Sequence, residues 1–363
     1  MSEERRATTL LEVHRELGAK LTEFSGWEMP LQYSGVMAEH RAVREAVGVF
    51  DVSHLGKLRV RGSDGGDALQ HAVTADVLGL EVGRATYALV LQDDGGCVDD
   101  IFVYRIGPEE WMAVPNAANV GAVGDCIRAS GAEAEDEWDR WTILALQGPT
   151  SFETFDRAFP DTGALDLELH AWKFFDIERT QAIVARTGYT GERGFELYLP
   201  TSVAVETFRK LLGLGVAPVG LGARDTLRLE MGYALYGHEL TREITPLEAK
   251  LSWAVSWDKD FRGKDRLSAQ KQEGPLRTLV GVRCSGRGVP RQACDVLSDG
   301  RVIGTVTSGN YSPSLGTGIA LALVGREGAP AAGDRVEIDV RGRGLEGDIV
   351  RPPFVHKVAK DTS

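Results

Sequence analysis

The sequence lacks the features that mark membrane, disulfide-rich and nucleic-acid-binding proteins. No apolar run approaches the length that a membrane span needs. The formal net charge of −12 argues against nucleic acid as the main partner, because phosphate binding requires a basic face. The few cysteines form no CxxC pair and no regular spacing, which predicts reduced thiols in a cytosolic protein. They are Cys97, Cys126, Cys284 and Cys294.

Metal-binding and targeting patterns are scarce as well. The seven histidines show no HExxH or other metal spacing, so the sequence predicts no metal site. The N-terminal segment Met1-Ser2-Glu3-Glu4-Arg5-Arg6 is charged, whereas a secretory signal is apolar. We therefore expect a cytoplasmic protein that binds neither a membrane nor a nucleic acid.

Two short motifs contain the residue types of known functional sites but lack the structural context that those sites require. Gly342-x-Gly344-x-x-Gly347 fits the dinucleotide fingerprint, which requires a helix directly after it. Pro352-Pro353 follows too soon for such a helix, so we interpret the segment as a hairpin turn. Asp51-Val52-Ser53-His54 gathers the residue types of a hydrolase triad. Because triads are assembled from distant segments, we do not interpret these neighbours as one.

The bulk composition is that of an ordinary globular protein. A chain of 363 residues with 43% hydrophobic and 26% charged residues predicts two or three domains with sizeable cores. Beyond about residue 271, short strands alternate with Gly-containing turns, which is typical of a small antiparallel barrel or sandwich. The prediction is an α+β fold with one region over residues 1–270 and a β-rich C-terminal domain over residues 271–363.

Hydrophobic periodicity and turn residues predict the individual elements. Helices are expected over residues 10–17, 36–47, 117–129 and 221–231, and after Thr201. Strands are expected over residues 57–61, 111–115, 141–146, 177–185 and 195–199, and in the C-terminal domain over 278–282, 293–297, 301–306, 318–324 and 335–340. A hairpin of 85–91 with 99–106 is expected around the turn Asp93-Asp94-Gly95-Gly96.

Two adjacent acids follow that turn at the start of a predicted strand. Side chains alternate faces along a strand, so Asp100 shares a face with Phe102 and Tyr104. Asp99 lies on the opposite face with Ile101. One acid must point toward the more buried side, and a buried carboxylate is costly unless it is paired or shifts its pKa. The pair is either a functional acid or the solvated end of a turn.

Several further segments are denser in glycine, aromatic and charged residues than ordinary loops. They are 26–30 (GWEMP), 51–56 (DVSHLG), 116–119 (NAAN), 186–196 (RTGYTGERGFE), 220–230 (GLGARDTLRLE) and 307–316 (TSGNYSPSLG). With the Asp99-Asp100 strand, their order and spacing resemble the T-protein family of the glycine cleavage system, which are tetrahydrofolate-dependent aminomethyltransferases. The resemblance covers Thr9 to Phe354. It implies three domains around a folate cavity, namely two α+β lobes and a C-terminal antiparallel β-barrel.

The resemblance also implies a reaction. An aminomethyl group, held as a thioether on the lipoyl arm of a carrier protein, gives its one-carbon unit to tetrahydrofolate. The expected products are 5,10-methylenetetrahydrofolate, ammonia and the reduced lipoyl carrier. The implied partners are therefore a lipoyl-bearing carrier (H) protein and the folate, with tetrahydrofolate as co-substrate and no metal.

The resemblance assigns roles to individual residues. Asp100 matches the family's catalytic aspartate, with Asp99 as the alternative, and either proton transfer or folate orientation remains open. Glu196 matches the glutamate that binds the pterin edge, whereas Glu192 is expected to face solvent or stabilise its loop. Arg224 matches a folate-cavity arginine, or else forms a structural ion pair with an acid such as Asp225. The expected cavity-lining residues are Tyr87, Tyr104, Asn116 and Tyr189, for which core packing is the alternative.

Two rival functions remain open. One is another tetrahydrofolate-dependent one-carbon transferase, such as a demethylase of a small methylated compound. Asp100 favours the aminomethyl reaction, because some relatives with other substrates vary at that position. The other rival is a non-catalytic folate-binding assembly factor for iron–sulfur enzymes. Relatives of that kind carry a Lys-Gly-Cys-aromatic-x-Gly-Gln signature, which this sequence lacks.

Overall fold

The protein forms two compact units in a computed structural model that describes residues 5–355. Residues 1–4 of the charged N-terminal segment and residues 356–363 of the predicted C-terminal domain lie outside the described residues. The first unit contains the chain up to Arg224 together with Trp253–Arg266. The second contains Asp225–Ser252 and the described chain from Leu267 onward. The division into residues 1–270 and 271–363 stays a prediction.

Helices are short and mostly pack one apolar side against a sheet. They are α1 (Leu11–Glu16), α2 (Val36–Glu45), α3 (Ser63–Ala72), α4 (Val120–Ala129), α5 (Ser151–Ala158), α6 (Thr201–Gly213), α7 (Leu221–Glu230) and α8 (Lys264–Glu273), with 3₁₀ turns at Ala117–Asn119, Ala164–Asp166 and Ser252–Ala254. In α6 the buried residues Val203, Thr207, Phe208 and Leu211 follow the helical period. Between residues 5 and 355, no helix combines the length and apolarity of a membrane span.

The first unit contains three sheets. Its strands are β1 (Arg6–Ala7), β2 (Lys20–Phe24), β3 (Trp27–Gln32), β4 (Gly48–Asp51), β5 (Leu58–Arg61), β6 (Ala85–Leu91), β7 (Cys97–Gly107), β8 (Glu110–Val114), β9 (Glu135–Asp136), β10 (Trp141–Gln147), β11 (Trp172–Ile177), β12 (Thr180–Ala185), β13 (Gly194–Pro200) and β14 (Ala217–Val219). The strand orders are β1-β3-β2, β6-β7-β8-β5-β9 and β11-β12-β13-β10-β4-β14. Mixed pairing with helices alongside makes this an α+β unit.

Each large sheet of the first unit has its own apolar core. Under the six-stranded sheet, Leu146, Phe155, Phe195 and Phe208 are buried together. Under the five-stranded sheet, the core includes Val60, Leu69, Val103, Trp111 and Ile127. Asp99, Asp100 and Tyr104 lie on β7, Tyr87 on β6 and Glu196 on β13, so the cores hold their backbones in place, whereas Arg224 lies on α7.

The second unit contains a closed six-stranded barrel. Its strands are β15 (Arg277–Cys284), β16 (Asp295–Ser298), β17 (Arg301–Ser312), β18 (Thr317–Gly325), β19 (Arg335–Asp339) and β20 (Gly344–Val350). The order is β15-β18-β17-β16-β19-β20, every pair is antiparallel, and β20 closes on β15. The predicted C-terminal antiparallel barrel is confirmed. The Gly342–Gly347 segment is part of the β19–β20 hairpin, as expected, and does not begin a helix.

Most predicted elements are found, but several observed elements were not predicted, among them α3, α5, α8, β2, β3, β4 and β11. The strand predicted over 177–185 is confirmed for residues 180–185, which form β12, but it begins too early, because Glu178 and Arg179 form a turn between β11 and β12. Both residues have positive φ, 47° and 65°, a conformation usually marked by Asn-Gly or Asp-Gly. Since neither glycine nor asparagine is present there, the turn left no sequence signal. The last barrel strand, β20, was not predicted, because its two glycines dilute the strand pattern.

Candidate active site

The acidic pair begins β7, where strand alternation separates the two carboxylates. Asp99 is completely buried, on the face that carries Ile101 and Val103. Asp100 points to the other face, is partly exposed, and lies opposite Leu89 of β6. The expectation that one acid faces the buried side is therefore correct, and that acid is Asp99.

Two asparagines hold the buried carboxylate of Asp99. The backbone N–H of Asn116 donates to Oδ2 over 2.9 Å, and its Nδ2 donates to Oδ1 over 2.9 Å. Nδ2 of Asn119 donates to Oδ1 over 2.7 Å. Burial, and next the charge of Asp100, raise the pKa of Asp99 to about 8, although the asparagine hydrogen bonds oppose this shift. Asp99 thus fastens the 3₁₀ turn after Asn116 to β7.

Both oxygens of Asp100 accept a hydrogen bond. Tyr87 Oη donates to Oδ2 over 3.0 Å. Asn116 Nδ2 lies 3.1 Å from Oδ1 and 3.2 Å from the carbonyl oxygen of the same residue. Burial, followed by the charge of Asp100, raises the pKa of Tyr87 well above its usual range, so Tyr87 remains a donor. Two residues expected to line a cavity, Tyr87 and Asn116, therefore orient the carboxylate directly.

The ring of Tyr87 is packed between two aromatic side chains. Phe102 meets it edge-on with ring centroids 5.9 Å apart. Trp253 stacks on it at 5.3 Å and an interplanar angle of 26°, while remaining 69% exposed. Trp253 is not among the residues expected from the sequence, because it lies in an irregular segment far from Tyr87 along the chain. The exposed Trp253 ring therefore covers Tyr87, whose hydroxyl donates to Asp100.

Glu196 of β13 lies at the end of a chain of hydroxyl groups. Thr187 Oγ1 donates to Glu196 Oε2 over 2.5 Å. Tyr104 Oη lies 3.3 Å from Thr187 Oγ1, and Tyr198 Oη donates to Tyr104 Oη over 3.0 Å. Burial, followed by the charge of Glu196, raises the pKa of Tyr104. Tyr104 has no exposed surface, so its hydroxyl group belongs to this buried series of hydrogen bonds.

Arg224 lies over the ring of Tyr189, with Cζ 4.8 Å from the ring centroid. Burial lowers the pKa of Arg224, and the charges of Glu196 and Tyr189 oppose that shift. Its Nη1 is buried and has no hydrogen-bond partner among residues 5–355. Because an unpaired buried donor is costly, this atom is suited to an acceptor supplied by a ligand.

Glu192 and Asp225, the two acids named as alternatives in the sequence, form ion pairs with other arginines. Glu192 Oε1 accepts from Arg44 Nη1 over 2.8 Å in a nearly buried pair. Arg44 also donates to the carbonyl oxygen of Thr190 over 2.7 Å, so Glu192 stabilises its loop as expected. Asp225 accepts from Arg228 through Nε and Nη2, over 2.9 and 2.8 Å. The arginine that pairs with Asp225 is thus Arg228.

The Asp51-Val52-Ser53-His54 segment does not form a triad. Asp51 accepts hydrogen bonds from Ser53 Oγ and from Thr8, and lies 2.9 Å from Nε2 of His14. His54 is buried elsewhere, against Phe24, and its Nδ1 has no partner in the described chain. Burial, and next the charge of Arg224, lower the pKa of His54 to about 3, so its ring is neutral.

The selected residues lie in one connected part of the first unit. The Phe102 ring lies 5.9 Å from Tyr87 and 6.4 Å from Tyr104, which joins the Asp100 side to the Glu196 side. Tyr189 is also near enough to Tyr87 to raise the pKa of Tyr87. Within residues 5–355, no group of three or more His, Cys, Asp or Glu side chains is arranged to hold a metal ion. The site thus offers carboxylates, a guanidinium and aromatic faces.

Models of known protein families match both the N-terminal and the C-terminal part of this chain. Residues 10–259 match the family model described as the GCVT N-terminal domain. Residues 277–356 match that of the glycine cleavage T-protein C-terminal barrel domain. A relative from Halothermothrix orenii named Aminomethyltransferase is 41% identical over 361 residues, covering 96% of this chain and 99% of its own. One from Mycobacterium leprae is 43% identical over 350 residues, covering 94% and 95%.

A solved structure agrees with these relatives. The crystal structure of glycine cleavage system aminomethyltransferase T from Bartonella henselae superposes with a TM-score of 0.90 at 33% identity, covering 97% of this chain and 98% of that one. The fold and these matches define an enzyme, an aminomethyltransferase. The chain belongs to the glycine cleavage T-protein family. The resemblance found in the sequence is confirmed.

Proposed function

We propose that the chain transfers a one-carbon unit from the aminomethyl-lipoyl arm of a carrier (H) protein to tetrahydrofolate. The carbon–sulfur and carbon–nitrogen bonds of the aminomethyl group break, and two bonds to folate nitrogens form. Ammonia and the dihydrolipoyl carrier leave, and 5,10-methylenetetrahydrofolate is the folate product. The protons released from the folate nitrogens balance those taken up by the sulfur and the departing amine.

Asp100 is the proposed catalytic residue, and its hydrogen bonds are the observation that carries the proposal. Positive charge develops on the one-carbon unit as ammonia leaves. A carboxylate already oriented by Tyr87 and Asn116 need not reorganise to stabilise that charge. Asp100 is also the partly exposed member of the pair, whereas Asp99 is fully enclosed. This favours Asp100 over Asp99.

The proposed folate contacts follow from donor and acceptor chemistry. A reduced pterin presents a ring N–H and an exocyclic amine on one edge, and the carboxylate of Glu196 can accept both. Arg224 has a buried Nη1 without a partner among the described residues, which suits the pterin carbonyl or a substrate carboxylate. Tyr189 offers an aromatic ring, and Tyr87, Tyr104 and Asn116 act through hydrogen bonds.

Compartment and domain division are part of the same proposal. The cytoplasm is the proposed location, supported by four cysteines that form no disulfide. Residues 1–270 are proposed to form the folate-binding region and residues 271–363 the barrel domain. The carrier must reach the folate through a surface opening, which favours transient docking.

The test uses the purified chain, tetrahydrofolate and aminomethylated lipoyl carrier, and follows methylenetetrahydrofolate and ammonia together. Stoichiometric formation of both products is expected. Asp100→Asn keeps the shape but removes the charge, and turnover should fall about 100-fold. Asp93→Asn is the matched control, because this exposed acid of the same hairpin binds Arg262 in the turn. Its turnover should equal that of the unaltered protein.

Two results would overturn the proposal. Full turnover in Asp100→Asn would remove Asp100 from the reaction. Folate binding without consumption of the aminomethylated carrier would reject the carrier as donor. Release of formaldehyde equivalents to folate from a methylated amine would then identify a demethylase on the same site.

A further inference from the structure

The carboxylate of Glu196 is hydrogen-bonded by a series of side chains to which the proposed reaction assigns no direct role. Thr187 Oγ1 donates to Oε2 of Glu196 over 2.5 Å, and Tyr104 and Tyr198 extend the chain at 3.3 and 3.0 Å. Tyr104 and Tyr198 are 0% and 1% exposed, and Thr187 is 4% exposed. Such buried hydroxyl groups would be costly here without partners.

The number of available hydroxyl protons fixes the direction of donation along this series of hydrogen bonds. A hydroxyl group carries one proton, and an ionised carboxylate only accepts. Since Thr187 gives its proton to Glu196, the threonine oxygen can only accept from Tyr104, whose hydroxyl also hydrogen-bonds the Glu196 carboxylate itself. The single hydroxyl proton of Tyr104 is then already donated, so Tyr104 Oη accepts from Tyr198, in agreement with the observed donor. Each donor polarises the next, which strengthens the final bond to the carboxylate.

The members of the chain are themselves immobilised by packing. The rings of Tyr104 and Tyr198 meet edge-to-face at 5.4 Å and 70°. Nε2 of Gln147 donates to the backbone carbonyl of Thr187 over 3.1 Å. Gly188 follows, and a Cβ on it would lie 2.1 Å from Oε1 of Gln147. The hydroxyl of Thr187 is therefore fixed relative to β13.

We propose that Thr187, backed by Tyr104 and Tyr198, is a positioning residue that orients the Glu196 carboxylate to accept the paired N–H groups of the pterin edge. This inference rests on the proposed function. A free glutamate side chain has several rotamers, and restricting it before binding reduces the entropy lost on binding. Thr187 occupies one side of Oε2 and Tyr104 also hydrogen-bonds the carboxylate, so the ligand takes the acceptor positions that these two hydroxyl groups leave.

The test measures tetrahydrofolate binding directly by calorimetry on the full chain, together with KM and kcat. Thr187→Val keeps the shape and removes the donor, and the Kd for tetrahydrofolate should rise about tenfold. The loss should fall on KM for tetrahydrofolate rather than on kcat, because Asp100 is untouched. Thr187→Ser restores the hydroxyl and should restore affinity. Tyr198→Phe, at the far end of the three successive hydrogen bonds that lead to the carboxylate, should raise the Kd about twofold.

The matched control is Thr142→Val on β10 of the same sheet. Thr142 Oγ1 is buried without a partner in the described chain, so the same substitution removes no hydrogen bond there. Its Kd should equal that of the unaltered protein. A general effect of replacing a buried threonine would appear in both variants, whereas a positioning effect appears in Thr187→Val alone.

A double-mutant cycle with Glu196→Ala decides whether Thr187 acts through Glu196. In the Glu196→Ala background, Thr187→Val should leave the Kd unchanged. An unchanged Kd for Thr187→Val alone, or its full tenfold penalty in the Glu196→Ala background, would overturn the inference. If the unaltered protein itself fails to bind tetrahydrofolate, the proposed function has failed instead, which is a distinguishable result.

Discussion

Tyr87 Oη donates a hydrogen bond to Asp100 Oδ2 over 3.0 Å across the β6–β7 hairpin. The two residues are not directly opposite each other, because Tyr87 pairs with Phe102 and Asp100 with Leu89. The tyrosine side chain therefore reaches along the sheet to the carboxylate. This bond orients one oxygen of Asp100, and Asn116 orients the other.

Tyr87→Phe tests the value of that orientation. The ring and its stack with Trp253 remain, and only the donor to Asp100 is lost. Turnover should fall about tenfold, since a hydrogen bond to a charged group contributes about 1.5–3 kcal/mol. Steady-state ammonia release measures the effect.

Tyr33→Phe is the control for Tyr87→Phe. Tyr33 Oη lies 2.9 Å from Nδ1 of His14, away from the acidic pair. Turnover should stay unchanged, while the free energy of unfolding falls by about 1 kcal/mol. Equal losses of turnover in the two variants would argue that a tyrosine hydroxyl matters only for stability.

The pH dependence of stability should report on Asp99. Its folded pKa is raised to about 8, above the value of about 3.9 in an unfolded chain. Between these values the folded state binds the extra proton, so this contribution is fully present below pH 4 and is lost as the pH rises through 8. Asp99→Asn lacks it. The stability difference between the unaltered protein and Asp99→Asn should therefore be smaller at pH 8 than at pH 5.

Urea unfolding at the two pH values measures that difference. Other titrating groups are common to both proteins and cancel in the subtraction. A difference that stays constant from pH 5 to pH 8 would mean that Asp99 is ionised throughout. The hydrogen bonds from Asn116 and Asn119 would then outweigh burial.

Gly188→Ala should destabilise the protein by about 1–3 kcal/mol, the usual cost of overpacking. An added Cβ would meet Oε1 of Gln147 at 2.1 Å, and Gln147 is completely buried. Gly213→Ala is the control, since nothing lies within 4 Å of a Cβ at this end of α6. Thermal unfolding should show a lower Tm for Gly188→Ala only. A lower Tm for both would point to a backbone effect of glycine replacement.

Arg228→Met should destabilise the second unit strongly. Arg228 is 1% exposed and binds Asp225, Ser308 and the fully buried carboxylate of Glu239. Removing the cation leaves Glu239 without it, at a cost of about 3–5 kcal/mol. Urea unfolding monitors the loss.

Arg209→Met is the corresponding control at the surface. Arg209 is 54% exposed in its pair with Glu16, and such pairs contribute about 0–1 kcal/mol. Similar losses for Arg209→Met and Arg228→Met would show that burial of the Arg228 cluster contributes little.

The sequence by itself determined the local elements and the family. Alternation along β7 placed Asp99 and Asp100 on opposite faces, and the glycine-rich turn before them placed the hairpin. Short strands separated by glycine predicted the barrel, and the order of the motifs identified the T-protein family. These features are encoded in neighbouring residues, where periodicity and turn chemistry act.

Only the tertiary structure decided which side chains meet. It enclosed Asp99 and left Asp100 partly exposed, stacked Trp253 on Tyr87, and linked Thr187 to Tyr104. Each of these pairings joins residues that are distant along the chain or depends on which face of a sheet a core covers. No local pattern encodes them, because they arise from the packing of whole elements against one another.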